Sequence, residues 1–477
     1  MLLFQLPEDV LYHILSYLDC KTLSRLSQVS KAFCHIVSRD VVWKKIAKEL
    51  LNTGITRYWT DIYPHILLKD RVKIAQNWYH GVCKRATPLK WKTKLLPWLQ
   101  LDGDTLFLSQ AAEIRAYPLR QDCRRIQRNP IKIYSGHQAD VCRFVLTESH
   151  LISGGSDGKI MVHGRRSESP MKLFGHNQEV NCIDSKNELI ISGSRDQTTQ
   201  IWTLTSNCRR AVIPLYDRVW SVAINPALSS FVTGTACCEN FSPLRMWDVE
   251  RLECVCSLGS GFRRGAGVLD MVFETPFHLF TCGYDTFIRL WDLRLSPHKN
   301  VMEWEEPHDS ALYCMQTDGN HMIASGSSYY GVVRLWDKRR TECLQGEHIL
   351  GEEDRPKNGT LRDSLFKRHS GQAMLTKTNR NTSLRQTTPK PPKSSPTNAH
   401  TMLQFFQLSS DPVSSPVYCL CFSCSHLYAA LATALHSLDF RHNLNITISN
   451  GVQDMAVCTQ DMAADCCLII DGFLVLS

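Results

Sequence analysis

No run of apolar residues in this 477-residue chain approaches the roughly 20 needed for a membrane-spanning helix. The apolar opening Met1-Leu2-Leu3-Phe4 meets Glu8 and Asp9 before a secretory signal core can form, so a cytosolic or nuclear setting is expected and no membrane partner. Also missing are the phosphate-binding G-x-x-x-x-G-K-[ST] loop and the H-E-x-x-H and G-x-S-x-G patterns, which leaves no visible nucleophile, acid or base at a catalytic spacing. Cys421-Phe422-Ser423-Cys424 has metal-like spacing, but it lies in a strand-like run without a second ligand pair; neither a metal nor a cofactor is expected. Acids are scarce in two stretches. Residues 44–94 hold 3 against 12 Lys/Arg, and residues 355–400 hold 1 against 10, so the rest of a chain totalling +8 is about −10. The positive excess thus sits in a connector and a loop, which argues against a nucleic-acid partner. Cysteine is plentiful, at 20, but scattered through strand-like runs such as Glu253-Cys254-Val255-Cys256, where reduced thiols act as small buried hydrophobes.

What is present has two periods. Near the N-terminus, Val10, Leu11, Ile14, Leu15 and Leu18 recur at helical spacing behind Leu6-Pro7-Glu8-Asp9. Leu23, Leu26 and Val29 continue the pattern, then Phe33 and Ile36, with Trp43 last. Three short helices in about 40 residues cannot bury much area alone, so this segment needs a partner. Residues 66–85 form a second amphipathic helix, with Leu68, Val72, Ala75, Trp78, Tyr79 and Val82 on one face and Lys69, Arg71 and Lys73 off it. The second period is longer. Trp202, Trp247-Asp248, Trp291-Asp292 and Trp336-Asp337 are 44 to 45 residues apart, and His137 to His176 and Asp157 to Asp196 are each 39 apart. That is the repeat of a four-stranded propeller blade.

In order and spacing, Leu6-Pro7, Val10-Leu11, Ile14-Leu15, Tyr17-Leu18, Leu23, Leu26, Val29-Ser30, Phe33, Ile36 and Trp43 resemble the F-box. Together with the Trp-Asp repeats, they make the chain similar to the F-box/WD-repeat family over roughly residues 1–345 and 402–445. The resemblance implies a small all-α F-box with a helical linker, then an all-β seven-bladed WD-repeat propeller. The expected divisions are F-box 1–45, linker 46–94, blades one to six 95–345, a disordered basic insertion 346–401, the last blade 402–450, and a tail 451–477 of unassigned structure. It further implies a non-catalytic substrate-recognition subunit of a Skp–cullin–F-box ubiquitin ligase. The Skp adaptor and cullin would be partners, together with a protein client to be ubiquitinated and degraded. A scaffold with the same adaptor contact but no client turnover is the alternative.

Leu6, Pro7, Val10, Leu11, Ile14 and Leu15 are the candidate adaptor contacts. His176, Ser192, Asp196 and Trp202 are assigned to the buried hydrogen-bonded chain that locks a WD blade, with His308, Ser325 and Trp336 as a later remnant. In such a propeller the residues flanking the first apolar position of each innermost strand, and the residue before the turn Asp, line one rim. They include Arg195, Arg218, Trp220, Tyr284 and Tyr313, the candidate client contacts. Related receptors hold phosphorylated segments with several rim arginines; two here, opposed by Asp140 and Glu179, fit an aromatic-anchored client better.

Overall fold

The computed structural model describes residues 6–119, 126–166, 169–205, 208–238, 241–329, 331–340, 402–409 and 416–441. The insertion expected at 346–401 and the tail at 451–477 lie outside them.

The N-terminal module contains four short helices rather than three: α1 (Glu8–Leu15), α2 (Cys20–Val29), α3 (Lys31–Val37) and α4 (Asp40–Glu49). Ser30 accounts for the extra break. Its backbone is extended at φ −158°, and its hydroxyl accepts the Phe33 N–H, ending α2 and capping α3 in one residue. Asp19 caps α2 by accepting the Thr22 N–H at 2.8 Å. Leu11, Leu15, Leu23, Val37, Val42 and Trp43 form the core of the module, with the Trp43 indole N–H donating to the Val37 carbonyl.

Helix α5 (Leu68–His80) ends at Gly81, whose left-handed φ of +70° suits a residue without a Cβ. It corrects the amphipathic reading, because Arg71 is buried, not outward. Its guanidinium grips Asp61 with two hydrogen bonds of 2.7 Å and donates to the Thr53 carbonyl, which compensates its desolvation. Trp78 is the main bolt to the propeller. It stacks on Phe440 at 3.7 Å between centroids, meets Phe422 edge-on, and donates its N–H to the Cys424 carbonyl. Asn52 and Asn77 donate to the Ser423 and Phe440 carbonyls, and Asn320 of the propeller donates back to the Lys48 carbonyl. Leu51, Ile74 and Trp78 thereby share one core with the last two blades.

Seven antiparallel four-stranded sheets follow one another around a ring. Their innermost strands are Leu99–Asp102, Val141–Leu146, Val180–Lys186, Val219–Ile224, Val268–Phe273, Leu312–Thr317 and Val417–Phe422. Polar stitches join neighbours: Gln100, Asp184, Asp270 and Gln316 accept the backbone N–H of Leu146, Ile224, Met315 and Phe422 on the next blade. Across the ring Arg143 pairs with Asp270 at 2.8 Å and lies over the Trp98 ring.

Two expected boundaries change. The end of the expected linker is not helical: Lys84–Lys90 is a strand, paired antiparallel with Ala434–Asp439 as the outer strand of blade seven. The chain that precedes blade one therefore completes the last blade and ties the two ends of the ring together. An outer strand faces solvent and carries no apolar alternation, and this one contains Pro88 beside an irregularity in register, so its sequence looks like a loop. Second, Met402–Gln407 pairs with Val332–Asp337 and is the outer strand of blade six, so the insertion leaves from inside that blade rather than between blades six and seven.

Candidate functional site

Six of the inner strands carry the same fault in register after their first residue: at Val141/Arg143, Val180/Cys182, Val219/Ser221, Val268/Asp270, Leu312/Cys314 and Val417/Cys419. In each, one residue has no partner on the neighbouring strand. Such a bulge re-aims a side chain at the rim of a closed sheet. The skipped residues include Trp220, Tyr313 and Tyr418, so local backbone geometry brings these aromatics to one end of the ring. Tyr284 joins them because its N–H donates to the Gly267 carbonyl, just before the inner strand Val268–Phe273 of its own blade. The Tyr284 and Tyr313 rings meet edge to face at 6.2 Å, and Tyr313 and Tyr418 lie 5.8 Å apart. Burial first, and then the neighbouring tyrosine, raises the Tyr313 pKa, so its hydroxyl stays neutral. The Trp220 indole N–H has no hydrogen-bond partner among the described residues.

The two expected rim arginines differ. Arg195 makes an ion pair with Glu179 at 3.3 Å, both about 40% exposed. Arg218 has no such partner among the described residues, and its charge acts on both Tyr284 and Cys238. Arg264 reaches the same Cys238 neighbourhood, from the loop between blades four and five. Position in the repeat does not flag Arg264, because that loop is longer than the repeat; the pair Arg263-Arg264 between glycines is its only signal.

Of the six candidate adaptor residues, the structure separates two from the rest. Leu11 and Leu15 face inward and are buried in the helical core. Pro7, Val10 and Ile14 are exposed and Leu6 partly so. With Tyr17, just past the helix end and beneath Lys45, they form an exposed apolar stripe along α1. Positions 10 and 14 lie on one line of the helix, and 11 and 15 on another turned about 100° from it toward the core.

The blade-locking chain is complete in blade three. His176 contacts Asp196 through Nδ1 at 2.9 Å and Ser192 through Nε2 at 2.8 Å, and the Trp202 N–H donates to the Ser192 oxygen at 3.0 Å. Asp196 fixes the imidazole N–H on Nδ1, leaving Nε2 to accept the serine proton. In blade two His163 stands for Trp and bonds the Ser135 carbonyl instead. His308 is a correction: it is exposed and does not reach Ser325, which accepts only the Trp336 N–H. A buried Glu306–Arg334 pair at 2.6 Å holds blade six in its place.

Burial opposes ionisation of Asp196, but hydrogen bonds from His176, Thr198 and the Asn177 amide outweigh it and hold the carboxyl well below the usual carboxylate range. A depressed folded pKa stabilises above the unfolded value of roughly 3.9 and is lost as pH falls through the folded one. Asp196→Asn is therefore expected to destabilise by roughly 1–3 kcal/mol at neutral pH. In denaturant titrations at several pH values its deficit should shrink below about pH 4.

The 15 described cysteines are all free thiols, and burial pushes Cys142 up to about 11 and Cys182 and Cys419 up to about 12. At neutral pH these three are protonated and unreactive. No cluster of three metal-ligating side chains occurs among the described residues, nor is any described helix long and apolar enough to cross a membrane.

Residues 3–49 match the F-box-like family, and residues 128–163, 167–203 and 299–337 match the WD domain, G-beta repeat. The chain is 46% identical over 444 residues to the human F-box/WD repeat-containing protein 4, spanning 92% of this chain and 93% of that protein. The chain belongs to the F-box/WD-repeat family. The mouse protein of the same name is also 46% identical over 444 residues, spanning 92% of this chain and 94% of that protein. A more distant relative, the probable E3 ubiquitin ligase complex SCF subunit sconB of Talaromyces stipitatus, is 26% identical over 42% of this chain and 28% of its own length. Among solved structures, the WD40 propeller domain of Doa1 superposes with a TM-score of 0.50 at 14% identity, covering 75% of this chain and 97% of that domain, which bears on the fold alone. F-box/WD-repeat proteins are typically non-catalytic substrate adaptors of E3 ligases.

Proposed function

We propose that the chain is the substrate-recognition subunit of a Skp–cullin–F-box ubiquitin ligase, delivering clients for ubiquitination and degradation. The observation that carries this reading is that an apolar helical stripe and an aromatic rim are carried by two modules sharing one buried core. The helical module touches the propeller at Asp318, Asn320, Ser423 and Cys424, just past the far ends of the inner strands whose near ends bear Tyr313 and Tyr418. Six residues of strand separate the two ends by about 20 Å. The apolar stripe of α1 serves the Skp adaptor, which brings the cullin, and the rim serves the client. A fixed spacing keeps the client at high effective concentration near the transfer site.

The client in this reading offers an acidic group to Arg218 and Arg264 and an apolar or aromatic anchor to the tyrosines. With Arg195 engaged by Glu179, no array of free arginines demands phosphorylation. Arg218→Ala combined with Tyr313→Ala is expected to weaken client capture more than about tenfold. Adaptor recovery should be unchanged, as measured by quantitative mass spectrometry of purified complexes. Equal recovery of every protein with the double variant and wild type would remove the rim from the account.

A further inference from the structure

The loop between α4 and α5 displays two large aromatics. Tyr58 is 68% and Trp59 50% exposed, and Trp59 adopts a left-handed φ of +65°. A bulky residue at positive φ is strained, and strain of this kind persists where the side chain has a use. Cations flank both rings. Lys48 and Lys44 of α4 lie 5.1 and 6.0 Å from the Trp59 centroid, and Arg57 lies 5.5 Å from Tyr58. The patch runs on to blade five: Arg57 contacts His278 at 3.3 Å, Tyr58 lies within electrostatic reach of Arg294, and Arg294 sits over the exposed Phe277 ring. On the other side Lys45 covers Tyr17 at 4.3 Å. Lys44, Lys45 and Arg57 have no ion pair within 4 Å among the described residues, whereas the nearby acids are committed, Asp61 to Arg71 and Asp292 to Arg294.

We propose that this patch is a second docking site, for an acidic protein segment carrying an aromatic or large apolar residue. Charge complementarity selects an anion, and the arrangement of the rings selects protein over nucleic acid. Base stacking needs free aromatic faces. Here Trp59, Tyr58 and Phe277 each already have one face taken by a cation, so a stacked base could use only the other, while the ring edges and the Trp59 and Tyr58 donors suit carboxylates and an apolar side chain. The site lies on the helical side of the ring, away from the rim, and stands whether or not the ligase reading does.

The test uses the full chain and fluorescence anisotropy with three short labelled probes: a peptide of Glu and Phe, its Gln and Phe counterpart, and a single-stranded oligonucleotide. Expected are binding of the acidic peptide that weakens with salt, and at least about tenfold loss in the Tyr58→Ala/Trp59→Gly double variant and in Arg57→Gln. Glycine relieves the positive φ, so the loop keeps its fold. All patch variants are compared in an Arg218→Ala/Tyr313→Ala background, so that the rim does not take up the same acidic peptide. Equal binding of the Gln peptide, tighter binding of the oligonucleotide, or no effect of the patch variants would overturn the proposal.

Discussion

Replacing Val10 and Ile14 together with aspartate is expected to abolish recovery of the Skp adaptor and cullin, while the variant keeps the unfolding profile of the wild type. Both side chains are more than 40% exposed on α1, so neither contributes much to the core of the module. Placing two carboxylates in an apolar interface leaves each without a partner, at a penalty of several kcal/mol, enough to lower affinity by more than about a hundredfold. Leu11→Ala and Leu15→Ala make the informative contrast. They empty the core rather than the surface, so they should destabilise the helices by about 2–5 kcal/mol and weaken adaptor binding only through unfolding. Pull-down combined with thermal melts separates the two. Loss of adaptor binding with a normal melt is the expected behaviour of the aspartate variant alone.

The second large effect is expected at Trp78. It is fully buried, stacked on Phe440 and hydrogen-bonded to Cys424, and it belongs to a core drawn from α5 and blades six and seven. Trp78→Ala removes an aromatic side chain from that seam, at about 3–5 kcal/mol. The melting temperature should fall on the order of 10 °C. Proteolysis should open the segment between α4 and the strand Lys84–Lys90, because the seam then rests on scattered hydrogen bonds such as those of Asn52, Asn77 and Asn320 and on the smaller side chains Leu51 and Ile74. In a reconstituted ligase this variant is expected to bind adaptor and client yet transfer ubiquitin poorly, since two tethered but loose ends lose effective concentration. Unchanged transfer would mean that rigidity between the ends is immaterial.

How much of this was legible in the sequence depended on burial. Segments with one buried face announced themselves: the apolar period of α1, the four-residue rhythm of α5 through Trp78, and the Trp-Asp spacing of the blades. Even the rim was readable, because the position after the first inner-strand residue is the one that bulges, so Trp220 and Tyr313 appeared by counting. Residues whose roles depend on distant partners were not. Arg71 looks like a surface cation until Asp61 and Thr53 surround it. His308 fits the repeat, but Glu306 and Arg334 form the buried pair that holds that blade. Lys84–Lys90 has no pattern because an outer strand borrows its register from Ala434–Asp439, some 350 residues away. Leu11 and Leu15 follow the F-box motif as closely as Val10 and Ile14 do, and only helix phase relative to α4 distinguishes core from surface.

The most direct test of the receptor account is a paired capture. Wild type, the Val10→Asp/Ile14→Asp variant and the Arg218→Ala/Tyr313→Ala variant are each expressed in cells, and bound proteins and their half-lives are measured by quantitative proteomics. The account predicts a set of proteins retained by the adaptor-deficient variant, lost by the rim variant, and lengthened in half-life only when adaptor binding or the rim is removed. Proteins bound through the rim whose half-lives do not respond to loss of the adaptor would contradict it and leave a scaffold.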